Sequence, residues 1–167
     1  MISAQRLIAA LWAVTLLAAA PAFGQATVRL GVENHDSAQP VEITSEELSL
    51  NQQGGTATFT GGVIVGQGDV VMTCERMVVE YGSGDEGGNE IRVIRMFGGV
   101  TFAGPTEAAE AEEAVYTLSE DTIVLTGNVL VTQGATALSS DRLTYNLASG
   151  AGQMEGRVKT ILNPGNN

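Results

Sequence analysis

The sequence predicts an all-β protein in which antiparallel strand pairs, about 29 residues to the unit, repeat and stack into an open β-roll around an apolar interior. Three observations carry this. First, placing residues 46–80 over 112–146, an offset of 66, matches Glu46, Glu47, Thr56, Thr60, Gly61, Val63, Val65, Gln67, Gly68 and Arg76 to identical residues without a gap. Second, a Gly-x-Val signature recurs at Gly61, Gly98, Gly127 and Gly156 in steps of 37, 29 and 29, while Leu48, Met77, Ala114 and Leu143 step by 29, 37 and 29. Third, Ala57, Phe59, Gly61, Val63 and Val65 alternate with Thr58, Thr60, Gly62 and Ile64, and Ile123, Leu125, Gly127, Val129 and Val131 alternate likewise. Period two over nine or so residues is strand periodicity, not helical periodicity.

Taken in order, residues 1–24 read as a secretory signal. Arg6 is followed by an apolar run from Leu7 to Ala20 and by the small residues of Pro21-Ala22-Phe23-Gly24, so cleavage is expected after Gly24 or Ala26. A run of 14 residues is short of the roughly 20 that cross a bilayer. Residues 25–42 are expected to be an N-terminal arm whose alternation at Val28, Leu30 and Val32 makes a first edge strand. Residues 43–162 hold the repeats, and 163–167 a short tail.

Within the repeats, both ladders lengthen by eight residues across Gly82–Asn89, a polar, Gly-rich stretch that reads as an exposed loop. Met96, Gly98, Val100 and Phe102, then Met154, Gly156, Val158 and Leu162, are expected to keep the inward phase. Glu107–Val115 could pass for a helix, but its alignment with Ile43–Ser49 makes it a strand. One Gly per unit at a fixed inward place predicts a bulge or close backbone approach that bends every layer at the same corner.

Charge and chemistry narrow the function. Loss of Arg6 leaves 7 basic and 19 acidic residues, a net −12 that repels nucleic acid and anionic surfaces alike. Cys74 is the sole cysteine and is expected to be a small buried hydrophobe. His35 is the sole histidine, so no His-based triad, His-pair zinc site or Cys/His cluster can form, and no metal or cofactor is expected. Glu46-Glu47 and Glu112-Glu113 recur at one repeat position, which predicts a solvated turn or strand edge and not a carboxylate catalytic pair. Arg76 and Arg142 are expected to pair with Glu75 and Asp141.

The expected interior lining, and the candidate lipid-binding surface, is Val63, Val65, Met72, Met77, Val79, Met96, Val100, Phe102, Leu125, Val129, Val131, Leu138, Leu143 and Tyr145. Unbranched methionines at 72, 77 and 96 suit ligands of varied shape. A solid dry core explains the same residues equally well. Open strand edges at the two ends, residues 28–32 and 154–162, predict head-to-tail addition of copies.

The ordered series Ile43-Thr-Ser-Glu-Glu-Leu-Ser-Leu50, Ala57-Thr-Phe-Thr-Gly-Gly-Val-Ile-Val65 and Cys74-Glu-Arg-Met-Val-Val-Glu-Tyr81 resembles the OstA-like domain of the LptA/OstA family. The match continues through Ala114-Val-Tyr116, Leu125-Thr-Gly-Asn-Val-Leu-Val131 and Asp141-Arg-Leu-Thr-Tyr145, so that it covers roughly residues 41–160. The resemblance implies a β-jellyroll or β-taco that binds the lipid A acyl chains of lipopolysaccharide. It also implies a periplasmic bridge of copies between an inner-membrane LptC-like partner and an outer-membrane LptD-like partner, with no catalytic residues. Two alternatives stay open: a membrane-anchored LptC-like protein of the same fold, and a structural or adhesive β-roll with no lipid ligand.

Overall fold

The computed structural model describes residues 26–28, 39–82 and 90–162. The expected signal peptide, the loop at 83–89, Leu30, Val32 and the tail after 162 lie outside the described residues. The strands are β1 (Ala26–Val28), β2 (Glu42–Thr44), β3 (Glu47–Asn51), β4 (Thr56–Gln67), β5 (Val70–Tyr81), β6 (Ile91–Ala103), β7 (Glu107–Thr117), β8 (Thr122–Gln133), β9 (Thr136–Asn146), β10 (Ala151–Glu155) and β11 (Lys159–Leu162). One 3₁₀ turn, Leu118–Glu120, joins β7 to β8. The all-β expectation therefore holds, and the Ala- and Glu-rich stretch from 107 is a strand.

All pairings are antiparallel and the order is β1-β10-β9-β8-β7-β6-β5-β4-β2, with β3 also on β4 and β11 also on β9. From β3 to β10, sequential hairpins build the stack, each strand lying beside its predecessor in sequence. The turns at Gly68-Asp69 and Gly134-Ala135 are two residues long, closed by the pairs Gln67↔Val70 and Gln133↔Thr136. Where the long loop interrupts β5 and β6, the Gly82 amide donates to the Glu90 carbonyl at 2.8 Å.

Each long strand is bent at one place. On β4, Thr60 pairs Arg76 and the next pair is Val63 with Cys74, so Gly61 and Gly62 together oppose Glu75 alone. A one-residue shift recurs at the same corner of each later pair, two residues against one where β6 meets β7 and β8 meets β9, and three against two where β5 meets β6 and β7 meets β8; β5 and β6 shift once more at Glu80/Tyr81. Bulges bend and twist a strand, and aligned bulges bend the whole sheet into two arms that enclose one apolar core. β2 and β3 are the two arms of one broken strand at the head of the stack, and β10 and β11 are the same at its tail. Inward side chains keep one parity along β4, β6 and β8. On β5, β7 and β9 they shift phase across the bulge, from Cys74 to Met77, Ala111 to Ala114 and Ser140 to Leu143.

The corner shows what the repeated glycine is for. Gly98 has φ +82°, and a Cβ there would lie 2.7 Å from the Cβ of Glu75 on the neighbouring strand. Equivalent acids cover the other corners: Glu46 over Gly61, Glu112 over Gly127 and Asp141 over Gly156. The glycine is thus a corner residue under an acidic side chain, and Gly98 and Gly156 are exposed, not inward as expected. The acid pairs likewise prove more than solvated edges, since Glu46 and Glu112 pack on the bulges while staying exposed.

Three further expectations are corrected. The inward phase ends at Met154: Gly156 and Arg157 both have positive φ, and Val158 beyond them is 40% exposed. The N-terminal strand is not the head edge but pairs with β10 at the tail, Ala26 opposite Met154. Leu48 occupies the register of Met77, Ala114 and Leu143 yet is 51% exposed, because it ends the stack and has no next layer to cover it.

Candidate functional site: an apolar trough between two arms

The interior is built from both arms of every layer. Of the fourteen residues expected to line it, Val63, Val65, Met77, Val79, Met96, Val100, Leu125, Val129, Val131, Leu143 and Tyr145 are buried in one core cluster. Met72, Phe102 and Leu138 are partly buried and packed against that cluster. Val70, Ala109 and Ala111 are buried in the same core without having been expected there, while Ala57, Ala114 and Met154 are buried in keeping with the phase expected of them. Ala109 and Ala111 carry little hydrophobic signal of their own. Their place follows only from the phase shift across each bulge.

At the centre a cavity is lined by Met72, Met96, Val100, Phe102, Ala109, Ala114, Tyr116, Ile123, Leu125, Leu143, Tyr145 and Leu147. Seven of these belong to the expected lining; the others in that set pack elsewhere in the core. The free volume is about 30 Å³, room for roughly two waters. Its walls are carbon and one thioether pair, with phenols at Tyr116 and Tyr145. Burial, then the charge of Asp121, pushes the Tyr116 hydroxyl above its ordinary pKa, so it stays neutral. Such a site offers apolar contact and water exclusion.

With the exception of Glu107, charged side chains of the described residues lie outside the core. Among the described residues only Glu107 and Ser140 are buried polar side chains. The Ser140 hydroxyl donates to the Arg142 carbonyl at 2.9 Å. Glu107 accepts from the Thr106 hydroxyl through Oε2, while its Oε1 has no partner and lies 2.9 Å from where a Cβ on Gly104 would be. The expected arginine pairings are corrected. Arg76 lies over the Phe97 ring, 4.4 Å from its centroid, and Arg142 reaches Glu155 at 4.0 Å. Asp141 instead takes Arg157, at 2.5 Å, and that guanidinium holds the carboxyl below its usual range. Both groups are exposed, so the pair adds little to stability.

Cys74 is buried as expected, and burial pushes its thiol pKa up against the lowering effect of amide hydrogen bonds from the Phe97 and Arg76 backbone. A neutral, covered thiol is a poor nucleophile. Iodoacetamide at neutral pH is expected to label it at least about tenfold faster in denaturant than in the native protein. Equal rates would place Cys74 at the surface. Among the described residues no three His, Cys, Asp or Glu side chains gather to hold a metal ion, and no helix is long and apolar enough to cross a membrane.

Comparison with known proteins agrees with this geometry. Residues 42–151 match the family described as LptA/(LptD N-terminal domain) LPS transport protein. The chain is 35% identical over 116 residues to the lipopolysaccharide export system protein LptA of Escherichia coli K12, covering 66% of this chain and 61% of that relative. It is 28% identical to LptA of Haemophilus influenzae, over 77% of this chain and 80% of the other. An uncharacterised protein of Rhizobium meliloti matches at 29% identity over 98% of this chain and 91% of its own length. The fold is similar to the crystal structure of LptH, described as the LptA-homologous periplasmic component of the lipopolysaccharide transport device of Pseudomonas aeruginosa. That likeness has a TM-score of 0.68 at 16% identity and covers 78% of this chain and 99% of that one.

Proposed function

The chain belongs to the LptA/LptD N-terminal-domain family of lipopolysaccharide transport proteins, and on that footing we propose that it is an exported periplasmic carrier that shields lipid A acyl chains in its trough. It does so as a binding protein, without catalysis and without a cofactor. The match spans 61% of the Escherichia coli relative, so the activity and partners of a whole transport protein are part of this proposal.

One observation carries the reading: a continuous apolar interior shared by both arms of the sheet, under an acidic exterior. A dozen methylenes exposed to water cost about 10 kcal/mol at roughly 0.8 per CH₂. A carrier must supply lining of the kind that Val63, Val65, Met72, Met77, Val79, Met96, Val100, Phe102, Leu125, Val129, Val131, Leu138, Leu143 and Tyr145 provide. The free space of about 30 Å³ is far too small for such a chain, so entry requires the two arms to spread. Methionines 72 and 96 on the cavity wall adapt to the shape that enters. With a net charge of −12 after export, the protein leaves the phosphorylated headgroup outside in water.

Copies join head to tail through the open sheet edges, the exposed β2–β3 edge of one against the tail of the next, and the ends of the bridge meet LptC-like and LptD-like partners. Depletion in the source cell is the test. Newly made lipopolysaccharide is expected to stop reaching the outer surface and to accumulate at the inner membrane. Undiminished delivery would end the proposal.

A further inference from the structure

The tail of the stack is already half occupied, and by a strand of the same chain. β1 lies antiparallel on β10 with Ala26 opposite Met154, Thr27 opposite Gln153 and Val28 opposite Gly152. The repeat says what else would fit there. β4 and β10–β11 are equivalent Gly-corner strands, with Gly61 corresponding to Gly156, and β5 and β2–β3 are equivalent acid-corner strands, with Glu75 corresponding to Glu46. β4 pairs β5 with Ala57, Thr58 and Phe59 opposite Val79, Val78 and Met77. Transferred to the tail, this register sets Leu48, Ser49 and Leu50 of a second copy opposite Met154, Gln153 and Gly152. Those are the three positions that Ala26, Thr27 and Val28 hold. The two tripeptides run in the same direction and share the pattern apolar, hydroxyl, apolar.

The other arm of the tail is open. Among the described residues β11 pairs only with β9, and Ile161 on it is exposed, as is Val158 just before it. The same register, taken from Ile64↔Thr73, Val65↔Met72 and Gly66↔Val71, sets Lys159, Thr160 and Ile161 opposite Thr44, Ile43 and Glu42 of an incoming β2. Lys159 then stands diagonal to Glu42, within reach across a strand pair. The head edge offers Glu42, Glu46 and Glu47, and the tail offers Arg157 and Lys159. One juxtaposition is unfavourable, Glu155 opposite Glu47, and Arg142 at 4.0 Å from Glu155 offsets it.

We propose that β1 is an intramolecular latch, a stand-in for β3 of a second copy, which covers the β10 edge until an incoming head edge seats β2 on open β11 and displaces it. This rests on the head-to-tail reading above. Its consequence is that free chains stay single while the tail is latched, and that a copy presented at high local concentration adds to the stack. Affinity of a joint whose competent state is only partly populated falls in proportion to that population.

The test uses the chain from Gln25 onward with Cys74→Ala. Thr27→Cys with Gln153→Cys locks the latch by a disulfide between directly opposed positions, and Val28→Pro weakens it by removing an amide donor. Sedimentation velocity across concentration is expected to show the oxidised lock monomeric where its reduced form assembles. Val28→Pro is expected to assemble at a concentration at least about tenfold below the Cys74→Ala parent. An oxidised lock that assembles as readily as the reduced protein, or a Val28→Pro curve that overlays the parent, overturns the latch and leaves stacking in place. If no variant assembles at any concentration, the head-to-tail reading falls, and the latch with it.

Discussion

Leu143→Ala is expected to lower the free energy of unfolding by about 3 kcal/mol, read as a shift of the urea midpoint with an unchanged slope. Leu143 is fully buried, pairs with Leu125 and Met154 across the sheet, and forms part of the cavity wall. Truncation therefore loses the transfer energy of the side chain and adds its volume to an existing void that the surrounding strands cannot close. Val71→Ala is the matched control. Val71 is 42% exposed on the outer face, so its loss is expected to cost about 0.5 kcal/mol. Comparable costs at the two sites would mean that the trough is not a packed interior.

Gly98→Val is expected to cost about 3 kcal/mol, and Gly99→Ala about 1 kcal/mol, in the same measurement. Both glycines have positive φ, 82° and 71°, so both substitutions carry backbone strain. They differ in what the new carbon meets. At Gly98 it collides with the stem of Glu75, whereas at Gly99 nothing lies within 4 Å. Gly98→Val also puts a β-branched residue into the left-handed region, where it fits worst. If the two variants were equally mild, the acid-over-glycine corner would not be what bends the sheet.

The stack itself was legible because its determinants are local and repeated. Gly61, Gly98, Gly127 and Gly156 sit where only a residue without Cβ tolerates both the φ and the neighbour, so they mark the corners in the sequence. The acids that complete each corner, Glu46, Glu75, Glu112 and Asp141, follow the same 29, 37 and 29 steps, two residues before Leu48, Met77, Ala114 and Leu143. They went unread because an exposed acid carries no signal of a specific partner. Ala109 and Ala111 were hidden for a different reason: small, helix-favouring side chains declare no face until the bulge sets their phase. The placement of β1 was beyond the sequence altogether. Which edge a three-residue strand joins depends on a surface assembled from residues more than a hundred positions away.

The function rests on the claim that acyl chains lie inside the trough. Adjacent positions on one strand face opposite ways: Val100 and Val129 inward, Thr101 and Leu130 outward. A photoreactive amino acid placed at each of the four in turn, in cells making radiolabelled lipopolysaccharide, reports which face touches lipid. Adducts from positions 100 and 129, with little or none from 101 and 130, are the predicted result. Labelling confined to 101 and 130, or absent from all four in a protein that still folds, would contradict it.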